Sequence, residues 1–284
     1  MSFSKICLSR FAPLGSPNSL SAFPFSLPVP LTRAHKLTCA QHISCSCSAS
    51  SSSSSSSTHQ KGASTRWRPM CLYFTQGKCT MMDDVMHLEK FNHDISRDLQ
   101  VDAAAFQHKC SQDLDFFLVL DLEGKIEILE FPVLMIDAKT MAFVDLFHRF
   151  VRPSKMSEQH INKYIEGKYG KFGVDRGNWD LKTKVPDQCK VSQIKLPPYF
   201  MEWINLKDVF YNFYKPRKSE ATGMMGMMKN RQVPMFGSHH LGIDDTKNIT
   251  RVLQRMLADG ARVQITARRN PDSRNVQYLF EDRI

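Results

Sequence analysis

The sequence predicts an α/β fold in which a β-sheet is flanked by helices. Segments with the length and the aromatic or β-branched content of strands lie at Phe116–Gly124, Ile126–Asp137 and Met141–Val151. Farther along the chain, a stripe of apolar residues spaced i, i+3 and i+4 runs through residues 249–257 and ends at Gly260. This pattern is typical of an amphipathic helix with a glycine stop. Strands followed by such a helix indicate an α/β architecture.

Residues 1–62 have the composition of a disordered tail. They are rich in serine, including the run Ser50–Ser57, contain five prolines, and carry no acidic side chain. Such a segment buries too little apolar surface to offset the entropy lost on ordering. Basic, serine-rich and acid-poor N-termini are typical of organelle transit peptides. We therefore expect import into the chloroplast, with a mitochondrial protein or an untargeted cytoplasmic protein as the alternatives.

The net charge of +10 is unevenly distributed along the chain. Eight basic residues precede Asp83, the first acidic residue, so the remaining chain carries 30 basic against 28 acidic side chains. This balance excludes a uniformly basic nucleic-acid coat. No run of about 18 apolar residues is present, so we expect no membrane span.

Residues 65–110 form a small segment that contains cysteine and histidine at the spacing of a metal site. Cys71 and Cys79 are followed by His87 and His93, and two thiolates with two imidazoles complete a tetrahedral zinc site. A bound Zn²⁺ would fold so short a segment. The alternative is a linker in which these residues are incidental.

The first predicted strand ends in two acids. Side chains at i and i+2 point to the same face of a strand, so Asp121 and Glu123 lie side by side. Two neighbouring carboxylates at a buried strand end are most easily accommodated next to a divalent cation. The alternative is a solvated strand end. In the following strand, Pro132 predicts an edge position or a bulge.

The predicted C-terminal helix begins with two further acids. Asp244 and Asp245 lie in its first turn, and His240 lies just upstream. An acid at this place is often only a cap for the helix. Together with Asp121 and Glu123, however, these residues could bind a metal and deprotonate a water molecule.

Three motifs in this order, DLEG, GNWD and HHLGIDD, resemble those of the DEDDh exonucleases. Within that class, the enhanced-RNAi and histone-mRNA three-prime exoribonucleases are the most similar, over Asp113–Arg268. The resemblance implies an exonuclease domain at 113–268 with a ribonuclease-H-like fold, a mixed sheet flanked by helices. It also implies two Mg²⁺ or Mn²⁺ ions held by four carboxylates, namely those of Asp121, Glu123, Asp180 and Asp245.

The same resemblance implies metal-dependent 3′-to-5′ hydrolysis that releases nucleoside 5′-monophosphates from RNA 3′ ends. The RNA would be a structured RNA, a small RNA or a ribosomal RNA precursor. His240 would act as the general base, and Glu123, Trp179 and His240 would contact the substrate. Trp179 could alternatively be an ordinary core aromatic. His239 lies beside His240, and the family register selects the second of the two.

One departure from the family concerns the interval before Asp180. Relatives have a helix and a strand there, whereas nothing between Gly167 and Gly177 has the pattern of an apolar strand. A block of some tens of residues is therefore missing near Arg176–Gly177, and we expect the sheet to lack one strand and one helix. The alternative function is accordingly a catalytically impaired, shortened form that binds RNA.

Two remaining segments have simple interpretations. The methionine-rich segment Met224–Lys229 is either a recognition surface or, as we expect, a helix that packs its apolar side. We expect residues 261–270 to contain a last strand that runs into a basic tail, and we expect the C-terminal tail to span residues 269–284.

Overall fold

The computed structural model describes residues 5–7, 67–101, 110–124, 126–160, 162, 179–217 and 223–280. Within these residues the strands are β1 Lys5–Cys7, β2 Phe116–Leu120, β3 Glu130–Asp137, β4 Phe143–Phe150, β5 Glu202–Asn205, β6 Ala267–Arg269 and β7 Val276–Tyr278. They form one seven-stranded sheet in the order β4-β3-β2-β1-β5-β6-β7. The α/β fold class is thus confirmed.

Among the described residues, the longer helices lie in the second half of the chain. They are α1 Leu72–Thr75, α2 Val85–Lys90, α3 Ile95–Asp98, α4 Val185–Val191, α5 Leu206–Tyr214, α6 Met224–Asn230 and α7 Gly242–Ala258. A π-helical turn, Asp180–Lys184, runs directly into α4. Among the described residues, no helix has the length and apolar character needed to cross a membrane.

The three predicted strands are confirmed as β2, β3 and β4, which pair in succession as an antiparallel meander. The role predicted for Pro132 is wrong, because β3 is paired on both sides and its irregularity lies between Met135 and Ile136. Pro132 is tolerated because the ladder with β2 includes Val133, paired with Leu120, but does not extend to Pro132. Proline therefore removes no hydrogen bond from that ladder.

Strand β1 comes from the segment that the sequence predicts to be disordered. Lys5–Cys7 pairs antiparallel with β2 on one side and with β5 on the other, so it occupies the centre of the sheet. The disorder prediction therefore does not hold for these three residues. Residues 8–62 lie outside the described residues, as does the position near Arg176–Gly177 where the sequence predicts a missing block.

The direction of the strands differs from the mixed sheet implied by the family. Every pair of named strands is antiparallel. The reason lies at β1, because β2 and β5 are each antiparallel to it and hence run parallel to one another. A strand running in the opposite direction to β1 at this position would make the sheet mixed.

The long helix α7 covers one face of the sheet. It packs against β3 and β2, with Ile249, Val252, Leu253 and Met256 fully buried. The predicted stripe is thus confirmed. The methionine-rich segment forms α6, whose Met224, Met227 and Met228 belong to the same core.

The Cys/His segment shares this core instead of forming a separate domain. Met70, Ile95 and Leu99 are buried in the cluster that contains α7, and residues 68–101 belong to the same compact unit as the sheet. The boundary predicted between residues 110 and 113 therefore does not separate two units. A segment this short has too few apolar side chains for a core of its own. Likewise, residues 276–278 of the predicted C-terminal tail form β7.

Candidate active site

Three carboxylates from two distant parts of the chain converge at the end of β2. One ligand oxygen from each of Asp121, Glu123 and Asp245 lies within 4.8 Å of the others. Asp121 and Asp245 are buried, and Glu123 is partly exposed. The structure thus brings together three of the four predicted metal ligands.

The backbone after β2 explains how Asp121 and Glu123 face the same side. Glu123 continues the pairing with the start of β3, where its N–H donates to the carbonyl of Glu130 at 3.1 Å. The chain then turns at Gly124, which has φ +123°. A Cβ on Gly124 would lie 2.0 Å from the carbonyl oxygen of Glu127, so the turn requires glycine.

Asp245 is held in the first turn of α7. Its carboxylate accepts a hydrogen bond from the backbone N–H of His240 at 2.8 Å, which closes the preceding loop onto the helix. His240 has φ +71°, a left-handed conformation that is uncommon outside glycine. This bond therefore helps to hold a strained residue directly beside a candidate metal ligand.

The N-terminus of α7 is capped from another strand. Glu130, the first residue of β3, is buried and accepts hydrogen bonds from the N–H groups of Gly242 at 3.0 Å and Ile243 at 2.9 Å. A carboxylate at this position satisfies two of the helix's four unpaired donors and interacts favourably with the helix dipole. It also fixes α7 relative to the strand that pairs with Asp121 and Glu123.

Gly242 allows α7 to approach the carboxylates closely. A Cβ at this position would lie 3.0 Å from Cγ of Glu123 and from Cδ of Glu130, and 3.1 Å from the carbonyl oxygen of Asp121. A side chain here would push the helix away from the strand. The glycine therefore sets the distance at which Asp245 meets the other two acids.

Two histidines stack next to Asp245. The rings of His239 and His240 are 3.8 Å apart and inclined by 25°. Nδ1 of His239 lies 3.1 and 3.2 Å from the two carboxylate oxygens of Asp245. The ring of His239 thus contacts the candidate ligand, and His240 both donates its backbone N–H to Asp245 and has a ring nitrogen within 4.8 Å of it.

Asp180, the fourth predicted ligand, lies beside the three-carboxylate group but outside it. It is fully buried, and its Oδ2 accepts a hydrogen bond from the N–H of Leu122 at 3.4 Å. Its Oδ1 is 3.2 Å from Nζ of Lys184, which also donates to the carbonyl of Leu122 at 2.6 Å. Asp180 is therefore positioned on the backbone between Asp121 and Glu123, with its charge neutralised by a lysine.

Trp179 is on the surface at the start of the π-helical turn. Its side chain is 41% exposed, which argues against the alternative of an ordinary core aromatic. Trp179 directly precedes Asp180 in the chain. An exposed indole at this position is suited to stack against a base.

The donor set fits hard divalent cations. Carboxylate oxygens are the ligands preferred by Mg²⁺ and Mn²⁺, and the ligand atoms of one such ion lie at most about 4–5 Å apart. The group of Asp121, Glu123 and Asp245 meets this limit. Burial of neighbouring carboxylates is costly without a compensating positive charge, which a cation supplies.

Sequence reasoning missed Glu130 and His148. Glu130 lies in an apolar segment where it looks like an ordinary strand residue, yet it caps α7. Nε2 of the fully buried His148 on β4 lies 3.1 Å from the Glu130 carboxylate. Acidic residues at inward-facing positions of a strand are rare, and that rarity was the signal in the sequence.

The four residues of the predicted zinc site also come together. One ligand atom from each of Cys71, Cys79, His87 and His93 lies within 4.8 Å of the other three. This group is formed by the segment that contains α1 and α2.

Comparison with known proteins gives the context for this site. No protein-family model matches the sequence. The chain is 57% identical over 264 residues to an uncharacterized exonuclease domain-containing protein of Arabidopsis thaliana, with 78% of this chain and 77% of the relative covered. It is 29% identical over 192 residues to human 3′-5′ exoribonuclease 1, with 53% of this chain and 55% of the human protein covered.

One solved structure is also similar to this chain. It shows a 3′-exonuclease in 3′-end-specific recognition of the histone mRNA stem-loop. It has 25% sequence identity and a TM-score of 0.49, and the match covers 61% of this chain and 73% of the other. Membership of a family is shown by the 57% identity with the Arabidopsis relative over 77% of its length. The chain belongs to the family of exonuclease-domain proteins related to the ERI1 3′-5′ exoribonucleases.

Proposed function

We propose that this chain is a metal-dependent 3′–5′ exoribonuclease that releases nucleoside 5′-monophosphates from RNA 3′ ends. The observation that carries the proposal is the convergence of Asp121, Glu123 and Asp245 within 4.8 Å, with His239 and His240 alongside. The relatedness to 3′-5′ exoribonucleases in human and mouse supports the same activity. The chain spans about half the length of those two relatives, so their full activity is part of the proposal.

The residues of the site divide into binding and proton-transfer roles. Asp121, Glu123 and Asp245, joined by Asp180, would hold two Mg²⁺ or Mn²⁺ ions. When bound, two such ions stabilise charge on the attacking and leaving oxygens of the phosphodiester. His240 accepts the proton of the attacking water at a ring nitrogen. His239 orients the carboxylate of Asp245 through its own ring.

The RNA terminus would be held near Trp179 and Glu123. An exposed indole binds a terminal base by stacking, an interaction that is worth about 1–3 kcal/mol per base and is insensitive to sequence. The natural substrate would accordingly be selected by the shape of its 3′ end, as in a structured RNA, a small RNA or a ribosomal RNA precursor.

The test is hydrolysis of an RNA labelled at its 5′ end, with Mg²⁺ and with EDTA. We expect shortening from the 3′ end, release of nucleoside 5′-monophosphates, and loss of both in EDTA. Asp121→Asn should lower the rate by at least about 100-fold, since it removes a ligand of the ions that stabilise the transition state. Asp115→Asn, at the other end of β2 on the surface, should leave the rate unchanged. Equal rates for the two variants would refute the metal assignment.

A second candidate function is binding of RNA without hydrolysis, and the alignments favour considering it. The match to the Arabidopsis relative extends over 264 positions, but 78% of this chain is only about 222 residues. About 42 aligned positions therefore have no counterpart here. In the match to the human relative, the aligned length likewise exceeds the matched part of this chain by about 40 positions.

Binding and hydrolysis are separated by measuring both on the same chain. In Mg²⁺, the exoribonuclease proposal predicts nucleotide release. The binding proposal predicts a retarded, intact RNA, and predicts that Asp121→Asn leaves the dissociation constant nearly unchanged.

For localisation we propose the chloroplast, because residues 1–62 are basic, rich in serine and free of acid. Fusing residues 1–62 to a fluorescent protein tests this directly. Fluorescence confined to chloroplasts supports the proposal, whereas fluorescence in mitochondria or throughout the cytoplasm rejects it.

A further inference from the structure

The residues Cys71, Cys79, His87 and His93 lie outside the carboxylate site and are not used in the proposed hydrolysis. We propose that they bind one structural Zn²⁺, and that this ion holds residues 68–98 in the conformation that supports the N-terminus of α7. The proposal does not depend on whether the chain hydrolyses RNA.

The spacing of the ligand atoms matches tetrahedral zinc. Sγ of Cys79 lies 3.4 Å from Nε2 of His87 and 3.5 Å from Nε2 of His93. Sγ of Cys71 lies 3.5 Å from Nε2 of His87, and the two Nε2 atoms are 3.1 Å apart. With Zn–S near 2.3 Å and Zn–N near 2.0–2.1 Å, the edges of a tetrahedron are about 3.3–3.8 Å. Four of the six distances between the ligand atoms are thus within about 0.2 Å of tetrahedral edges, and the other two are at most 4.8 Å.

The surrounding hydrogen bonds orient these ligands. Nδ1 of His93 lies 3.3 Å from the carbonyl oxygen of Phe91, which suits an arrangement in which Nδ1 carries the proton and Nε2 binds the metal. The N–H of His87 donates to the carboxylate of Asp84, the cap of α2. The N–H of Cys71 donates to the carbonyl of Asn92 at 3.0 Å, which brings the two ends of the site together.

The segment between the ligands has little else to hold it folded. Helix α2 has no buried residue, and Val85 and Met86 are 66% and 73% exposed. Helix α1 has four residues. Isolated helices of this length are unstable in water, so ligand bonds to a metal are the interaction that would keep them in place.

Buried hydrogen bonds connect this segment to the helix that carries Asp245. The hydroxyl of Thr75, the last residue of α1, is 2.7 Å from Nδ1 of His148. Nε2 of His148 is 3.1 Å from Glu130, whose carboxylate accepts the N–H groups of Gly242 and Ile243. Four polar contacts thus lead from the proposed zinc site to the start of α7.

A second connection reaches the same helix one turn later. Lys247 of α7 is buried, and its Nζ lies 3.1 Å from both Asp98 of α3 and Asp244. The side chain of Asn92, next to the ligand His93, donates to Asp98 at 3.3 Å. Loss of order at the zinc site would leave a buried lysine with one of its two carboxylates displaced, which is energetically costly.

The first experiment measures zinc in the full-length chain purified without added metal. We expect about one zinc per chain, and loss of most of it in Cys79→Ser and in His93→Gln. Cys110→Ser, which changes a cysteine outside the group, and Asp121→Asn, which changes the carboxylate site, should keep the zinc. A wild-type chain without zinc, or equal zinc loss in Cys110→Ser, overturns the proposal.

Since the ligand variants could fail to fold, cobalt replacement in the wild-type chain gives an independent readout. Co²⁺ should produce the absorption of a tetrahedral site together with thiolate-to-cobalt charge-transfer bands. Cobalt spectra without thiolate bands would place the ion at the carboxylates and reject the site.

The positioning role is tested by hydrogen exchange at the N–H groups of Gly242 and Ile243. These amides should exchange at least about tenfold faster when zinc is removed by a chelator, and the exchange of Ile249, deeper in α7, should change less. Unchanged exchange at residues 242 and 243 would show that the ion does not support this helix. Exchange and zinc content are both measured without RNA, so their failure is distinct from failure of the nuclease proposal.

Discussion

The two stacked histidines occupy different positions relative to Asp245 and should therefore fail in different ways when replaced. His240→Gln should lower kcat by about 10²–10⁴-fold, because a general base is lost, with little change in the Mg²⁺ concentration for half-maximal rate. His239→Gln should raise that Mg²⁺ concentration by about 10–100-fold, because the ring that contacts Asp245 is removed. Rates measured across a Mg²⁺ titration distinguish the two. The reverse pattern would assign the base to His239.

Glu127 anchors the loop after β4 and gives the fold a dependence on acid. Burial by itself raises the pKa of Glu127, but hydrogen bonds from the N–H groups of Ser154, Lys155 and Met156 outweigh it. The pKa therefore lies below its usual value of 4.5. A folded-state pKa below the unfolded one stabilises the fold above the unfolded pKa, and this contribution is lost as the pH falls through the folded pKa.

We therefore expect Glu127→Gln to lower the unfolding temperature at pH 7. Between pH 5 and pH 3, the unfolding temperature of this variant should fall less than that of the unchanged chain. Thermal unfolding followed by circular dichroism measures both. Glu158→Gln, at an exposed carboxylate, is the control. An unchanged pH dependence in Glu127→Gln would contradict the role of these hydrogen bonds.

The individual residues of the site were predictable to different degrees. Asp121 and Glu123 follow from the alternation of side chains along a strand, which places them together whatever the rest of the fold does. Glu130 could not be assigned as a cap, because its partners are 112 and 113 residues away and depend on how α7 lies against the sheet. Local patterns predict side-chain direction, but not which distant backbone a side chain meets.

Among the elements, the three-residue strand β1 should matter for stability because it pairs with a neighbour on each side. Its three residues fill the position between β2 and β5, so removing them leaves the N–H and C=O groups of two strands without ladder partners. Ile6→Pro removes a backbone donor in the middle of β1 and also restricts its conformation. We expect this change to lower the unfolding temperature and to increase aggregation through the newly exposed strands.

Deleting Ser50–Ser57 is the matched control, since it shortens the N-terminal segment without touching β1. Differential scanning fluorimetry and light scattering should separate the two variants. Equal stability of Ile6→Pro and the control would show that β1 contributes nothing to the sheet. Cleavage of residues 1–62 on import would remove β1, so the processed chain should resemble Ile6→Pro.

The elements also show where sequence reasoning ends. The meander and α7 were predictable because each has its own periodicity and its partners are adjacent in the chain or on the same face. The pairing of Lys5–Cys7 with Phe116–Leu120 was not, because it joins residues more than a hundred positions apart. No pattern within three residues can indicate such a partner.

At the scale of the whole molecule, the N-terminal segment carries most of the positive charge and also contributes a strand to the sheet. Most of the net charge of +10 precedes Asp83, whereas the carboxylates of the site lie in the nearly neutral remainder. Attraction of RNA would then come from bound cations and a few local basic groups, with little contribution from a general basic surface. The N-terminal segment has a contact of its own in the sheet, through β1.

The last prediction concerns the roughly 42 aligned positions of the Arabidopsis relative without a counterpart here, taken as one block at the predicted position near Arg176–Gly177. If the block supplies the strand between β2 and β5, inserting the corresponding residues of the Arabidopsis relative between Arg176 and Gly177 should displace β1. The restored chain should then unfold at a higher temperature, give more soluble protein, and hydrolyse RNA faster, because Asp180 follows the block directly.

A combined variant makes this prediction specific. In the restored chain, Ile6→Pro should have almost no effect on the unfolding temperature, whereas in the present chain it should be clearly destabilising, since only there does β1 complete the sheet. Unfolding temperatures of the four chains, with and without the block and with and without Ile6→Pro, measure the coupling. Equal destabilisation by Ile6→Pro in both backgrounds would mean that the block and β1 do not compete for one position.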